Sequence, residues 1–199
     1  GTFLAVIAFN RKLFINFKEN RLLPFALIAS LPVIFTGGLM GILLYDSFKS
    51  NLYIIAFACI IGGALLEVSD NKKKNRNEII LKDSIIIGIF QILALIPGMS
   101  RSGTIITALR FLGINRKLSI TFSLLTGVPV LLAACCFGIY KAVNYTNVDF
   151  VKLSLIIIAS FLTAIITIQF FFKWIEKFSF RLFSIYRVFI GILILVYLT

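Results

Sequence analysis

Long apolar runs alternate with short polar connections along the whole chain. Five continuous runs are close to or longer than the roughly 20 residues that a helix needs to cross a bilayer; they are 22–45, 52–66, 118–143, 150–172 and 182–198. Lipid admits only helices or closed barrels, and these runs lack the apolar–polar alternation of barrel strands. The pattern therefore predicts an all-α polytopic membrane protein, organised as a single integral membrane domain over 1–199.

A sixth apolar region, 84–112, is interrupted by the polar sequence PGMSRSGT at 97–104. Fifteen of the 20 lysines and arginines lie in four connections, which are 10–21, 67–83, 110–117 and 173–181. Such connections face the cytoplasm, and 84–112 joins two of them. The region is therefore predicted to enter and leave the membrane by one face, as a re-entrant helix–loop–helix hairpin with 97–104 at its tip.

Composition agrees with the membrane class and excludes others. Of the 199 residues, 60% are hydrophobic and 14% charged, with a mean hydropathy of +1.03, and a soluble domain of this size has no interior for so much apolar surface. The net charge of +12 is explained by cytoplasmic loops, because no basic stretch carries interleaved aromatics. We expect membrane lipid, and no nucleic acid, as a partner.

The cysteine and histidine content limits which metal sites, disulfides and general bases the chain can contain. Cys59, Cys135 and Cys136 lie in apolar runs without C-x-x-C spacing, and are predicted to be small buried hydrophobes rather than disulfides or metal ligands. The chain has no histidine, the commonest general base and metal ligand. No metal site is predicted in this chain.

The most polar stretch, 69–83, is interpreted as a solvated loop, with a patch for lipid head groups as the alternative. Glu67, at the end of a span, is also interpreted as solvated.

The tip at 97–104 has the features of an anion site. Pro97 and Gly98 end the incoming helix, and Ser102 or Thr104 is expected to cap the outgoing one. Free N–H groups at a helix N-terminus attract anions. Further donors to phosphate oxygens come from the side chains of Ser100, Arg101 and Ser102. The alternative is a kinked helix whose serines bond their own backbone and whose arginine reaches for the membrane surface.

Two further polar side chains lie within apolar sequence. Charges inside a membrane are costly and usually functional, so Arg187 in the last span is a site candidate, with extension towards the Arg181 end as the alternative. Gln91 precedes the tip, and the sequence leaves open whether it makes a helix–helix hydrogen bond or serves the site.

The segment 90–104 resembles the second signature of the bacterial undecaprenyl-diphosphatase family, which confers bacitracin resistance. Further agreement comes from 122–125 with Pro129, from 185–187, and from 4–6 with 11–14, so that the similarity extends over the whole chain. The resemblance implies a multi-pass protein of the bacterial plasma membrane, built from inverted repeats with two re-entrant loops. The implied activity is hydrolysis of undecaprenyl diphosphate to undecaprenyl phosphate and phosphate, which recycles the cell-wall lipid carrier.

The resemblance also implies roles for individual residues. Catalytic roles fall to Arg101 and Ser100, and binding of the diphosphate falls to Gly98, Ser102, Gly103, Thr104, Arg187 and Gln91. This chain has Thr104-Ile105 where many members have Ala-Thr, so the role of Thr104 is left open. The homo-oligomeric state is also left open.

The family's first signature, E-G-x-x-E-F-x-P-V-S-S-T-G-H, is missing from this sequence. It supplies acidic residues, a serine proposed as nucleophile and a histidine, and ligands for a divalent cation (Mg²⁺ or Ca²⁺) are expected there. Because the chain begins at Gly1 with an apolar 1–9, we expect an N-terminally truncated sequence that lacks the first re-entrant repeat. The alternatives to the phosphatase are an inactive fragment and a lipid flippase or transporter, since transporters also use inverted repeats with broken helices.

Overall fold

The computed structural model describes residues 1–11, 22–43, 51–71, 76–143, 150–177 and 179–198. These parts of the chain are mainly helical. In chain order the helices are α1 (Thr2–Phe9), α2 (Leu22–Leu43), α3 (Leu52–Asp70), α4 (Leu81–Ile92), α5 (Arg101–Phe111), α6 (Arg116–Val143), α7 (Phe150–Lys177) and α8 (Arg181–Leu198). A short 3-10 helix, Leu93–Leu95, follows α4. Most of the predicted basic connection 10–21 lies outside the described residues.

Within the described residues, five helices are long and apolar enough to cross a membrane: Leu22–Met40, Leu52–Asp70, Arg116–Ile139, Val151–Trp174 and Arg181–Leu198. The five predicted spans are therefore confirmed, and the chain is a multi-pass helical membrane protein. The helix α3 continues one turn past its predicted end at 66, because its polar end is bonded. The Ser69 hydroxyl donates to the Leu66 carbonyl at 2.8 Å, and Asp70 is paired.

The prediction that the cysteines are buried is wrong for Cys135 and Cys136, which are exposed on α6. A thiol behaves as a small apolar side chain. In a membrane protein an apolar run therefore does not distinguish a core position from a lipid-facing one.

The helices α4 and α5 form a hairpin whose two ends meet. The N–H of Arg76, before α4, donates to the carbonyl of Gly113, after α5, at 2.8 Å. The N–H of Asn115 donates back to the carbonyl of Arg76 at 3.0 Å. The chain thus leaves and returns at one end of the bundle, which we call the base of the hairpin. That this end lies at one face of the membrane stays a prediction of the charge pattern.

The hairpin packs against α2 and α6 through a continuous apolar core. Ile87 on α4, Ile105 and Leu109 on α5, and Phe122 and Leu125 on α6 are fully or almost fully buried in it. This core fixes the position of the tip relative to the spanning helices.

One buried carboxylate joins four helices at the base. Oδ1 of Asp70, the last residue of α3, accepts from Nε of Arg110 at 3.1 Å and from Nε of Arg116 at 2.8 Å. Oδ2 accepts from Nη2 of Arg116 at 2.9 Å and from the backbone N–H of Phe180, just before α8, at 3.1 Å. Burial lowers the pKa of the Arg110 guanidinium, and the charge of Asp70 opposes that shift.

The interpretation of 69–83 as a solvated loop is wrong for its two buried acids. Asp70 is 6% exposed and Asp83 is 3% exposed. Asp83 pairs with Arg76 and accepts from the N–H of Ile80 at 2.9 Å, at the start of α4. Buried carboxylates need such partners, and those of Asp70 lie far along the chain.

Close packing of α3 and α8 depends on glycines on both helices. A Cβ on Gly63 would lie 2.9 Å from the Ser184 carbonyl oxygen and 2.9 Å from Cγ2 of Val188. A Cβ on Gly191 would lie 2.7 Å from the Ala56 carbonyl oxygen. Small residues let membrane helices approach this closely, and the contact brings Arg187 to the hairpin.

Candidate functional site

The tip of the hairpin turns on a glycine. Gly98 has φ +91°, in the left-handed region that favours glycine, and the N–H of Met99 donates to the carbonyl of Ile96 at 3.0 Å. A Cβ on Gly98 would lie 2.6 Å from the carbonyl oxygen of Ile55 in α3. Both the backbone angle and the approach of α3 therefore require glycine here.

The helix α5 begins at Arg101 and is capped by Ser100, whose Oγ accepts from the N–H of Gly103 at 3.2 Å. Oγ1 of Thr104 donates back to the carbonyl of Arg101 at 2.8 Å. The prediction that Ser102 or Thr104 caps the helix is wrong, because the helix begins earlier. The first N–H groups of a helix have no acceptor within it, so this N-terminus favours an anion.

Arg187 reaches the tip from α8. Its Nη2 donates to the carbonyl of Gly98 at 3.4 Å and contacts Sδ of Met99 at 3.8 Å. A Cβ on Gly103 would lie 2.8 Å from Nη1, and a Cβ on Gly62 would collide with the same guanidinium. Nη1 is buried without a hydrogen-bond partner among the described residues. A guanidinium with spare donors beside a helix N-terminus suits phosphate oxygens.

A cavity of about 530 Å³ lies beside the tip, with walls from α3, α5, α6, α7 and α8. Five predicted site residues line it: Gly98, Ser100, Ser102, Gly103 and Arg187. Three further side chains in its lining were not predicted as site residues: Cys59, Ser123 and Thr167. Its apolar lining includes Ile168, Phe171, Phe183 and Ile190. The cavity therefore offers donors for an anion together with a wall for a hydrocarbon.

Comparison with known sequences assigns the family. The family model described as bacitracin resistance protein BacA matches residues 1–193. The chain belongs to the BacA family. The resemblance drawn from the tip and from Arg187 is thus confirmed at the level of the family.

Several BacA-family relatives carry the name undecaprenyl-diphosphatase. That of Leptospira interrogans serogroup Icterohaemorrhagiae serovar copenhageni is 39% identical over 180 residues, which cover 85% of this chain and 64% of the relative. That of Sulfurihydrogenibium sp. is 34% identical over 203 residues, covering 97% of this chain and 78% of the relative. That of Pelagibacter ubique is 34% identical over 202 residues, covering 98% of this chain and 78% of the relative. The chain thus spans 64% of the Leptospira protein's length.

Three predicted site residues of this BacA chain do not line the cavity. Nη1 of Arg101 donates to the carbonyl of Gly127 in α6 at 3.3 Å. Thr104 is buried and lines, with Arg187, a separate pocket of about 10 Å³. Gln91 is fully buried, and neither its Oε1 nor its Nε2 has a hydrogen-bond partner in the described parts of the chain.

The cavity of this BacA chain fits an anion better than a divalent cation. In the ranges that the structure describes, no three His, Cys, Asp or Glu side chains come together as a metal site. Mg²⁺ and Ca²⁺ prefer carboxylate and carbonyl ligands, whereas the charged side chain lining this cavity is a guanidinium. The described residues therefore do not by themselves hold a divalent cation, whose ligands the resemblance places in the missing first signature.

Replacing Gly98 with alanine is expected to destabilise the tip of the hairpin. The alanine would hold φ near +91° and place its Cβ 2.6 Å from the Ile55 carbonyl oxygen, so we expect a loss of about 2 kcal/mol in the free energy of unfolding. Thermal unfolding in detergent measures it. Gly38→Ala on α2 is the matched control, because a Cβ there meets nothing within 4 Å. Equal stability of the two variants would contradict this account of the tip.

Proposed function

We propose that the chain carries the diphosphate-binding part of an enzyme that hydrolyses undecaprenyl diphosphate to undecaprenyl phosphate and phosphate. The observation that carries the proposal is the convergence of a capped helix N-terminus and the Arg187 guanidinium on one cavity with an apolar wall. The BacA relatives named undecaprenyl-diphosphatase supply the substrate class.

The diphosphate is the group that the polar side of the cavity recognises. The N-terminus of α5 contributes backbone N–H groups and its positive dipole end. Arg187 contributes a fixed cation whose Nη1 has no partner among the described residues, and Ser100 and Ser102 contribute hydroxyls. Charge-assisted hydrogen bonds of this kind are the strong ones.

The apolar wall serves placement more than affinity. A prenyl chain already lies in an apolar solvent before it enters the cavity, so contact with Phe171, Phe183 and Ile190 gains little from the hydrophobic effect. The wall instead orients the prenyl chain, and it excludes water from the apolar side of the cavity next to the head group. Binding energy therefore comes mainly from the diphosphate.

In the hydrolysis, a water oxygen forms a bond to the terminal phosphorus, and the bond between that phosphorus and the bridging oxygen breaks. A proton from the water passes to solvent. Negative charge then spreads over the phosphoryl and bridging oxygens. Arg187, the α5 N–H groups and, from the tip, Arg101 stabilise that charge, because fixed donors act most strongly where charge develops.

Ser100 is assigned as a ligand of the phosphate rather than as the nucleophile. Its Oγ accepts from the N–H of Gly103 at 3.2 Å, which leaves its hydrogen free to donate to a phosphate oxygen. No Asp, Glu or His lines the cavity with it among the described residues. A serine nucleophile needs such a base.

The proposal includes the position of the hairpin in the membrane. With the basic connections in the cytoplasm, the base of the hairpin faces the cytoplasm and the tip lies at membrane depth, as a re-entrant loop of a protein in the bacterial plasma membrane. Irregular backbone at that depth is tolerated where it lines a cavity, which agrees with Gly98 and Ser100 lining this one.

Phosphate release from undecaprenyl diphosphate, by the complete purified protein in detergent, tests the function. The expected result is steady release of one phosphate per lipid, with undecaprenyl phosphate as the other product. A flippase would release none, because it moves the lipid without breaking a phosphate bond, and detergent leaves no second compartment to move it to. Absence of phosphate together with lipid movement in reconstituted vesicles would replace the hydrolase by the transporter.

A further inference from the structure

Both halves of the candidate site are anchored to one carboxylate, that of Asp70. The hairpin is anchored through Arg110, in the last turn of α5, whose Nε donates to Oδ1 at 3.1 Å. The helix α8 is anchored through the N–H of Phe180, which donates to Oδ2 at 3.1 Å. Asp70 is thus the common reference point for the tip and for Arg187.

The distances along the two helices connect this anchor to the site. Arg187 lies seven residues after Phe180, or about 10 Å along α8 at 1.5 Å per residue. Ser100 lies ten residues before Arg110, or about 15 Å along α5. An axial shift of either helix at Asp70 would therefore be transmitted to the contact between Arg187 and Gly98.

The glycine contacts between α3 and α8 make such a shift matter. The Gly63 position is closed by Ser184 and Val188, so α8 fits α3 in one register. Arg187 occupies a site with Gly62 on one side and Gly103 on the other, where added Cβ atoms would meet its guanidinium. The Gly98 carbonyl, 3.4 Å from Nη2, is at the limit of hydrogen bonding, so a small displacement breaks it.

We propose that Asp70 is a positioning residue, which sets the register of α8 against the hairpin so that Arg187 meets the phosphoryl group. This inference rests on the proposed function for its substrate. It assigns to Asp70 no contact with that substrate, because Asp70 does not line the cavity.

The kinetic test compares Asp70→Asn with Glu67→Gln in the complete protein. Glu67 lies one turn earlier on α3, and its Oε1 is 3.7 Å from the largely exposed Arg181. We expect Asp70→Asn to lower kcat about tenfold with KM nearly unchanged, and Glu67→Gln to change neither. In an Arg187→Ala background, Asp70→Asn should lower kcat less than twofold, because coupled positions are not additive. A tenfold loss in both backgrounds, or none in either, would overturn the proposal.

A distance measurement tests the positioning without using activity. Nitroxides on genetically encoded ketone side chains are placed at Ile80 and Tyr197, which are 49% and 81% exposed. Asp70→Asn is expected to shift the mean distance by about 1.5 Å or more, one residue's rise along a helix, or to broaden its distribution. An unchanged distribution would refute the positioning role. If the distance shifts in Asp70→Asn but the parent protein releases no phosphate, the positioning role of Asp70 is retained and the proposed phosphatase activity is rejected.

Arg116→Gln serves if Asp70→Asn does not fold. Arg116 is half-buried and donates twice to Asp70, while the buried Arg110 pair and the Phe180 bond remain. Because Arg116 donates to both Oδ1 and Oδ2, it holds the carboxylate in the orientation that meets Arg110 and Phe180. The expected result is a smaller shift in distance and a smaller loss of kcat than those of Asp70→Asn. A folded Arg116→Gln protein with the parent's distances and kcat would count against the proposal.

Discussion

Replacing Arg187 with alanine is expected to lower kcat for phosphate release about a thousandfold, or roughly 4 kcal/mol in activation free energy. Arg187 is the charged side chain that lines the cavity, and its Nη1 has no partner in the described parts of the chain. Among the described residues, no other cation lines the cavity. Because its interaction strengthens as charge develops on the phosphate, the loss should appear mainly in kcat.

The control for this variant removes an arginine from the same helix. Arg181 begins α8, and its side chain is 73% exposed, 3.7 Å from Glu67. Arg181→Ala should therefore keep kcat within about twofold, since exposed ion pairs contribute little. Arg187→Lys should recover part of the loss, because it restores the charge but not the planar fork. Similar losses for Arg181→Ala and Arg187→Ala would remove Arg187 from the site.

The sequence predicted the spans and the hairpin because membranes impose strong constraints. An apolar run of sufficient length can scarcely be anything other than a helix, and five such runs are five long helices in the structure. The hairpin followed from lysine and arginine counts, since two basic connections on one side require an even number of crossings between them. The Arg76 bridge to Gly113 and Asn115 is the structural counterpart of that argument.

The helix cap and the cavity-lining residues could not be predicted, because they depend on geometry within one turn of helix. Ser100, Ser102 and Thr104 are all acceptable caps by residue type, and only the backbone geometry of the tip shows that α5 begins after Ser100. The rotation of a helix about its axis is also invisible in an evenly apolar sequence, so the cavity positions of Cys59 and Thr167 gave no signal.

The burial of Asp70 was missed for a different reason. Its neighbours in sequence are polar, and a polar stretch after a span is usually solvated. Its partners Arg116 and Phe180 are 46 and 110 residues away, so only the folded chain brings them together. One sequence signal pointed to them: acids are scarce among the charges of this chain, eight against 20 lysines and arginines, and a scarce acid among many cations attracts several of them.

Replacing Arg101 with alanine is expected to lower kcat for phosphate release by a hundredfold or more, while the protein still inserts into membranes. Arg101 begins α5, next to Ser100, and its Nη1 donates to the Gly127 carbonyl through a long bond of 3.3 Å. A dianionic phosphate is a far stronger acceptor than a backbone carbonyl. We therefore expect the guanidinium to turn from α6 to the substrate when the cavity is filled.

Gly127→Ala separates this role from anchoring of α6. The added Cβ would lie 2.8 Å from Nη2 of Arg101, so it pushes the guanidinium off α6 without removing it. If Arg101 serves the phosphate, Gly127→Ala keeps kcat within about tenfold, whereas Arg101→Ala loses a hundredfold or more. If Arg101 only anchors α6, the two variants lose kcat and thermal stability together, by the worth of one charged hydrogen bond, about 1.5–3 kcal/mol. Rates and unfolding temperatures of both variants, measured in one detergent, decide between these roles, and near-normal turnover of Arg101→Ala would remove the tip arginine from the reaction.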